Sequence, residues 1–389
     1  MEIDVSHVMK VAARPKICFS HGQGSWLIDT QGRRYLDFVQ GWAVNCLGHS
    51  PQVIQQALLE QSGRLINPGP GFYNQPAATL AKSLATMSGL DEVFFTNSGA
   101  EANEGAIKLA RKWGQLHRQG AYKIITFENG FHGRTLATMS ASGKPAFDQL
   151  YEPKVPGFIR VPYNNLQAVS EAIDDQTVAV MLELIQGEAG VVPADPKFIA
   201  GLRALTQQRG LLLIVDEVQT GIGRCGSMLA TEYYQLEADI LALGKGLGGG
   251  VPIAAMLAKA SLCCFEPGDQ GGTFNGNALV TAVASAVLDT VDQDDFLRQL
   301  NRSADMLRDG LAALSDKHQL GEVRGAGLLL AIGLNNDAAN KVAAACEKKG
   351  LLINAPRADC LRLMPALNVT AVEIDQALTI LDQVLGELT

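Results

Sequence analysis

The sequence predicts an α/β protein, with a large domain on a mostly parallel central sheet and a small α+β domain beside it. Three observations lead there. Apolar, strand-like runs at residues 92–96, 122–127, 178–184, 211–215 and 239–243 alternate with helical patterns, a succession that calls for parallel strands covered by helices on both faces. Residues 211–215 are five consecutive aliphatics, as in a strand buried on both sides. Beyond residue 293 the pattern changes to short strands and amphipathic helices. The 389 residues suffice for one large and one small domain. The predicted division is a segment 1–50 that belongs with the small domain, a large domain over 51–292, and a small carboxyl-terminal domain over 293–389.

Taken in order, residues 16–38 hold the short β-type runs ICFS, SWLID and RYLDF, separated by HGQG and by the turn at 29–32, which reads as an antiparallel meander. Helical patterns follow at 51–62 and 75–87. The strand at 92–96 runs into Asn97-Ser98-Gly99-Ala100-Glu101, where Ser98 and Glu101 fit a capping box that opens a helix over 100–117. The same helix start can hold an anion on the N–H groups of Gly99 and Ala100 and the Ser98 hydroxyl. After the strand at 122–127, Phe131 and Arg134 lie among glycines, able to stack on a ring and to bind a carboxylate. His132, taken alone, reads as an ordinary loop histidine. The strand at 178–184 enters a glycine-flanked acid, Glu188. A turn-rich block at 271–277 precedes an apolar helix at 278–291. A charged helix at 294–316, strands near 322–333 and 361–364, and helices at 338–349 and 372–388 complete the chain.

Composition narrows the function. With 47% hydrophobic and 19% charged residues the chain is of ordinary globular type. The net charge of -8, without a Lys/Arg cluster, speaks against nucleic acid as partner and for small molecules. Seven cysteines without CxxC spacing indicate neither a disulfide framework nor a metal site. No run reaches membrane-spanning length and the start lacks a signal-peptide core, so a cytoplasmic location is expected. Residues 221–226 match G-x-G-x-x-G, but they lie past the strand end and no clear crossover helix follows, so a dinucleotide site is not expected.

The chemistry concentrates in residues 211–250. Asp216 and Gln219 follow a buried strand and can point from its tip into a common crevice, and Lys245 sits among Gly244, Gly246, Gly248, Gly249 and Gly250 at the end of the next. A lysine there can form a Schiff base with pyridoxal phosphate, whose ring nitrogen needs a carboxylate and whose phosphate needs an anion cradle. Spacing alone leaves a second reading open, in which Asp216 and Glu217 cap a loop and Lys245 is a surface lysine in a flexible turn.

The blocks TNSGAEANEGAIKLAR, FENGFHGRTLATMSASG, LELIQGEAGV, LLIVDEVQTGIGRCG, LALGKGLGGGVPIAAML, GDQGGTFNGNALVTAVASAVLD and LRLMPAL, in this order, resemble the class III aminotransferases of the type I pyridoxal-phosphate fold, and among them the acetylornithine aminotransferases. The likeness runs from about Cys18 to the carboxyl terminus. It implies that Lys245 bonds to the cofactor, that Asp216 pairs with its ring nitrogen, that Gln219 binds its phenolic oxygen and that Phe131 stacks on its ring. Ser98, Gly99 and Ala100 would hold the phosphate, joined by Thr273 of a neighbouring subunit in a homodimer. Arg134 would bind the far carboxylate of the substrate and Arg362 the α-carboxylate of glutamate or 2-oxoglutarate. Glu188 would cover Arg362 when an ω-amine donor is bound, and Glu183 would support the cofactor's surroundings.

The implied reaction is a ping-pong transfer of the δ-amino group of N2-acetylornithine to 2-oxoglutarate, in arginine synthesis. Ornithine, succinylornithine, 4-aminobutyrate and N-succinyl-diaminopimelate are alternative donors, and an aminomutase is an alternative class. Leu184 and Ala278 stand where the family usually has proline. Trp42 falls near the substrate entrance, where a bulky indole would reshape the acyl pocket.

Overall fold

The computed structural model describes residues 4–388, so residues 1–3 and 389 of the outer two predicted segments lie outside it. Its centre is a seven-stranded sheet of β1 (Glu92–Thr96), β2 (Lys123–Phe127), β3 (Phe158–Val161), β4 (Thr177–Leu182), β5 (Leu212–Asp216), β6 (Ile240–Leu243) and β7 (Ala254–Ala258). The spatial order is β1-β7-β6-β5-β4-β2-β3. Only β7 runs against its neighbours. The short connection after β6 explains this, since a parallel return needs a crossover of a dozen or more residues.

Alternation along β5 builds both faces. Leu213 and Val215 join the core that contains Phe198, Ile199 and Leu202 of the helix Pro196–Arg209. Leu212 and Ile214 join the opposite core, with Ala106, Ile107, Leu109 and Ala110 of the helix Gly99–His117. Every residue of β4, β5, β6 and β7 is buried, as doubly covered strands require.

The amino-terminal meander comprises Phe19–Gln23, Trp26–Asp29 and Arg34–Asp37. Its first strand continues through His21 and Gly22, where the sequence reading placed a turn. The reversal is confined to Gly24 (φ +55°) and Ser25, because Gln23 pairs with Trp26. Leu351 and Leu352 pair in parallel with Leu36 and Asp37, which ties the meander to the carboxyl-terminal part of the chain. A further sheet of Val323–Ala326, Leu329–Gly333, Cys360–Leu363 and Asn354–Arg357 carries Arg362. Arg224, from the glycine-rich segment that mimics a dinucleotide fingerprint, is buried and donates to the carbonyls of Leu328 and Pro365. That segment therefore has a joining role in the fold. Among the described residues no helix is long and apolar enough to cross a membrane.

Candidate active site

The carboxyl ends of β1, β2, β4, β5 and β6 open on one crevice. Register explains why Asp216 and Lys245 share it: Asp216 is paired with Ala242, three residues before the lysine. Asp216 and Glu217, adjacent in sequence, have opposite fates. Glu217 turns away and accepts from the N–H groups of Ala230 and Thr231 at 2.7 and 2.8 Å, so the loop-capping role suggested for the pair belongs to it alone. Asp216 faces the crevice, buried, with Oδ1 accepting from the Val218 N–H at 3.0 Å and Oδ2 from the Asn103 side-chain amide at 2.7 Å.

His132 Nδ1 lies 2.8 Å from the same Oδ2, and the ring is buried. This corrects the reading of His132 as an ordinary loop residue. Burial opposes its charge, but the hydrogen bond and charge of Asp216 outweigh burial and raise its pKa above the ordinary value. Glu183, at the end of β4, accepts from the Phe131 N–H at 2.8 Å and so fixes that aromatic. Desolvation raises its pKa to about 7, against the pull of His132.

The Lys245 ammonium makes no hydrogen bond or ion pair among the described residues, although the backbone carbonyl accepts from the Gly248 N–H at 3.2 Å. Burial, and next the charge of Arg362, lower its pKa to about 8, although Glu188, Asp216 and Glu183 oppose the shift. A lysine that is partly neutral near physiological pH and has no partner of its own is poised as a nucleophile. Its backbone is held in the left-handed region (φ +44°).

Close approach of backbone completes the crevice. A Cβ at Gly99 would lie 2.5 Å from Val218 Cγ1, so the helix start and the Asp216 loop meet this closely because Gly99 has no side chain; a Cβ at Gly244 would lie 3.2 Å from the same atom, a tight fit. The Gly99–His117 helix begins here with Ser98 as cap, accepting from the Glu101 N–H at 3.3 Å, while Glu101 Oε2 accepts from the Asn97 N–H at 2.8 Å. The amides of Gly99 and Ala100, in the first turn, have no intrahelical acceptor.

Arg362, fully buried, stands on the other wall. Its Nη2 donates to Glu188 Oε1 at 2.9 Å, its Nε to Asn354 Oδ1 at 3.0 Å, and its Nη1 approaches Gln219 Oε1 at 3.4 Å. The amide nitrogen of Gln219 is left to donate elsewhere. Burial would raise the pKa of Glu188, but the adjacent Arg362 overrides burial and lowers it. Glycine at 187 leaves room for Gln219 in this position, since a Cβ would lie 1.7 Å from Gln219 Oε1. Arg134 is exposed, with its guanidinium 5.7 Å from the ring centre of Phe147.

Lys245, Asp216, Gln219, Phe131, Glu183, Glu188 and Arg362 thus converge, with Ser98, Gly99 and Ala100 at the adjoining helix start. Three of the sequence-predicted residues stand apart, the exposed Arg134 being one. Thr273 is exposed, and its carbonyl accepts from Asn67. Trp42 is 56% exposed and makes no hydrogen bond or ring contact with the others among the described residues. It rides on four consecutive residues, Gln40 to Ala43, that hold φ between +49° and +65°. Asn103 was missed in the sequence, although an asparagine on the apolar side of a helix, beside Ala102 and Ala106, was a usable signal.

A buried amine, a strand-tip carboxylate and an anion-ready helix start fit one group, pyridoxal phosphate, and fold and donor set together define a pyridoxal-phosphate-dependent transferase. The family model described as Aminotransferase class-III matches residues 8–385. Acetylornithine aminotransferase 2 of Bordetella bronchiseptica is 54% identical over 99% of this chain and 98% of its own length. The solved N-acetylornithine aminotransferase of Stenotrophomonas maltophilia superposes with a TM-score of 0.84 at 34% identity, covering 96% of each chain. A solved ornithine aminotransferase of Toxoplasma gondii, with PLP in partial occupancy at its active site, gives a TM-score of 0.94 at 32% identity, covering 98% of this chain and 92% of that one. The chain belongs to the class-III aminotransferase family. It is a transaminase with pyridoxal 5'-phosphate as cofactor and small molecules as substrates.

Proposed function

We propose that the enzyme transfers the δ-amino group of N2-acetylornithine to 2-oxoglutarate, giving N-acetylglutamate 5-semialdehyde and glutamate. The observation that carries the choice of donor is the 54% identity to the Bordetella bronchiseptica enzyme across the whole chain. The Arg362–Glu188 pair supports the two-substrate character: an acid that covers a buried guanidinium can yield it to an incoming carboxylate, so one pocket serves two substrates. An aminomutase has no need of that exchange.

When bound, pyridoxal phosphate supplies an aldehyde that exchanges amines and a protonated ring that takes up the electron pair left by a breaking carbon–hydrogen bond. The residues divide the remaining work. Lys245 Nζ would hold the cofactor and, when free, would move the proton that leaves the donor carbon; its lowered pKa provides the neutral base that this needs. Asp216, fixed by Asn103, His132 and the Val218 N–H, keeps a negative charge opposite the ring nitrogen. Gln219 would donate to the phenolic oxygen, Phe131 would stack on the ring, and Ser98, Gly99 and Ala100 would take the phosphate. Arg134 would receive the far carboxylate of the donor, with Trp42 near the substrate entrance, and Arg362 the α-carboxylate of glutamate or 2-oxoglutarate.

The working unit in this reading is a homodimer, in which Thr273 reaches the phosphate of the neighbouring subunit. The segments holding residues 66–74 and 273–277 are bonded to each other and together expose Ile66, Phe72, Tyr73 and Phe274, an apolar surface suited to a second copy. A small domain made of residues 1–50 with 293–389, and a cytoplasmic location, belong to the same proposal.

Half-reactions test the donor. Holoenzyme is mixed with acetylornithine, ornithine, succinylornithine or 4-aminobutyrate, without keto acid, and loss of cofactor absorbance is followed. Acetylornithine is expected to react with the highest rate per concentration. If it is the poorest donor, the substrate assignment falls while the family stands; sustained turnover without 2-oxoglutarate would point to a mutase.

A further inference from the structure

Glu188 is divided between two cations. While its Oε1 accepts from Arg362, its Oε2 lies 3.2 Å from Lys144 Nζ. We propose that Lys144 is the alternate partner that takes over Glu188 when a substrate carboxylate occupies Arg362, and that it thereby sets how readily the enzyme accepts 2-oxoglutarate and glutamate. This makes Lys144 a specificity-determining positioning residue. The proposal rests on the reading above, in which Arg362 binds the α-carboxylate.

The two cations differ in freedom. Arg362 is fully buried on its strand and is also held by Asn354 and Gln219, so it stays in place. The side chain of Lys144 is 31% exposed, and its ammonium lies about equally far from the rings of Phe131 and Phe147, 6.0 and 5.9 Å from their centres. Its backbone, by contrast, is pinned. The Asn129 N–H donates to the Gly143 carbonyl and the Gly143 N–H to the Gly130 carbonyl, both at 2.9 Å. A Cβ at Gly143 would lie 2.1 Å from the Phe127 carbonyl oxygen, so this close approach requires glycine. The loop that positions Phe131 therefore also fixes the root of Lys144 and leaves four methylenes to follow Glu188.

The energetic consequence is asymmetric. With an ω-amine donor bound, Glu188 keeps Arg362 whether or not Lys144 is present. Once a substrate carboxylate takes Arg362, the Glu188 side chain, only 22% exposed, has Lys144 as its remaining ion-pair partner among the described residues. An unpaired carboxylate in such a place is costly. Loss of Lys144 therefore falls on the state that binds 2-oxoglutarate or glutamate and spares the state that binds the amine donor.

The test uses holoenzyme. Lys144→Met keeps the stem and removes the charge. The keto-acid KM, measured with 2-oxoglutarate, and the inhibition constant for glutarate, an unreactive dicarboxylate, are expected to rise about tenfold, equivalent to ~1.4 kcal/mol. The amine-donor KM and kcat should stay near the parent values, and Lys144→Arg should restore the keto-acid KM. In a Glu188→Gln background the Lys144 substitution should add nothing. A keto-acid KM unchanged in Lys144→Met, or an equal loss in both half-reactions, overturns the proposal. If Glu188→Gln itself leaves the balance between keto acid and amine donor untouched, the Arg362 reading fails and this inference fails with it. If Glu188→Gln moves that balance but Lys144→Met does not, only the role of Lys144 falls.

Discussion

The two walls of the active site handle charge in different ways. On the wall of β5 and β6, Asp216 is held by three donors, and Lys245 stands in a loop where a Cβ at Gly248 would lie 1.9 Å from the Val251 carbonyl oxygen. Among the described residues Asp216 has one ion-pair partner there, His132, and the Lys245 ammonium has none. On the opposite wall a rigid arginine faces an acid with two cations to choose from. The difference teaches a division of labour. A step common to both half-reactions is served by a fixed arrangement, in which preorganised charge needs no rearrangement during reaction. Acceptance of two unlike substrates is served by an arrangement with two nearly equivalent pairings.

Substitutions on each wall should therefore give different signatures. The largest effect is expected from Asp216→Asn, which should lower both half-reaction rates alike by about 10^3-fold, the scale of one or two preorganised electrostatic contacts. It should also free burial to act on His132: without the carboxylate that raises its pKa, the imidazole should titrate below its ordinary range in NMR spectra. An effect on one half-reaction only would erase the contrast. Next comes Arg362→Gln, expected to raise the keto-acid KM by about 10^2-fold through loss of a charged contact, while the rate with the amine donor changes far less. Equal losses in both would mean that this wall, too, serves the common step.

The smallest expected effect is on pH dependence. Because burial holds the Lys245 amine at about 8, the rate at which apoenzyme takes up pyridoxal phosphate should climb with pH to a midpoint near 8 and then level off. Below that midpoint the neutral fraction, and with it the rate, falls about tenfold per pH unit. A rate still climbing toward the ordinary lysine value of about 10.4 would show that the loop does not desolvate the amine.

The fixed wall was largely legible in the sequence and the adjustable one was not, for a physical reason. Asp216, Gln219 and Lys245 sit at the ends of two adjacent apolar runs, so local pattern and the geometry of parallel sheets bring them together. Ser98 and Glu101 announced a helix start in the same way. Glu188 and Arg362 are 174 residues apart, and no periodicity connects them; only likeness to a family pointed to both. His132 was misread because its role depends on Asp216, 84 residues away at the end of β5, which spacing does not reveal. Lys144 gave no signal, since a lysine after a glycine in a loop resembles any solvated charge. The left-handed run at Gln40 to Ala43 was equally hidden, with Gly41 the single residue in it that favours such a backbone. In the fold, β7 drew no separate expectation because its short connection returns it against the parallel direction of its neighbours.

One amine carries the chemistry proposed for this enzyme. Holoenzyme reduced with borohydride, digested and analysed by mass spectrometry should carry the pyridoxyl group on a single peptide, at Lys245. A group found on any other lysine, or no group on the protein at all, would contradict it.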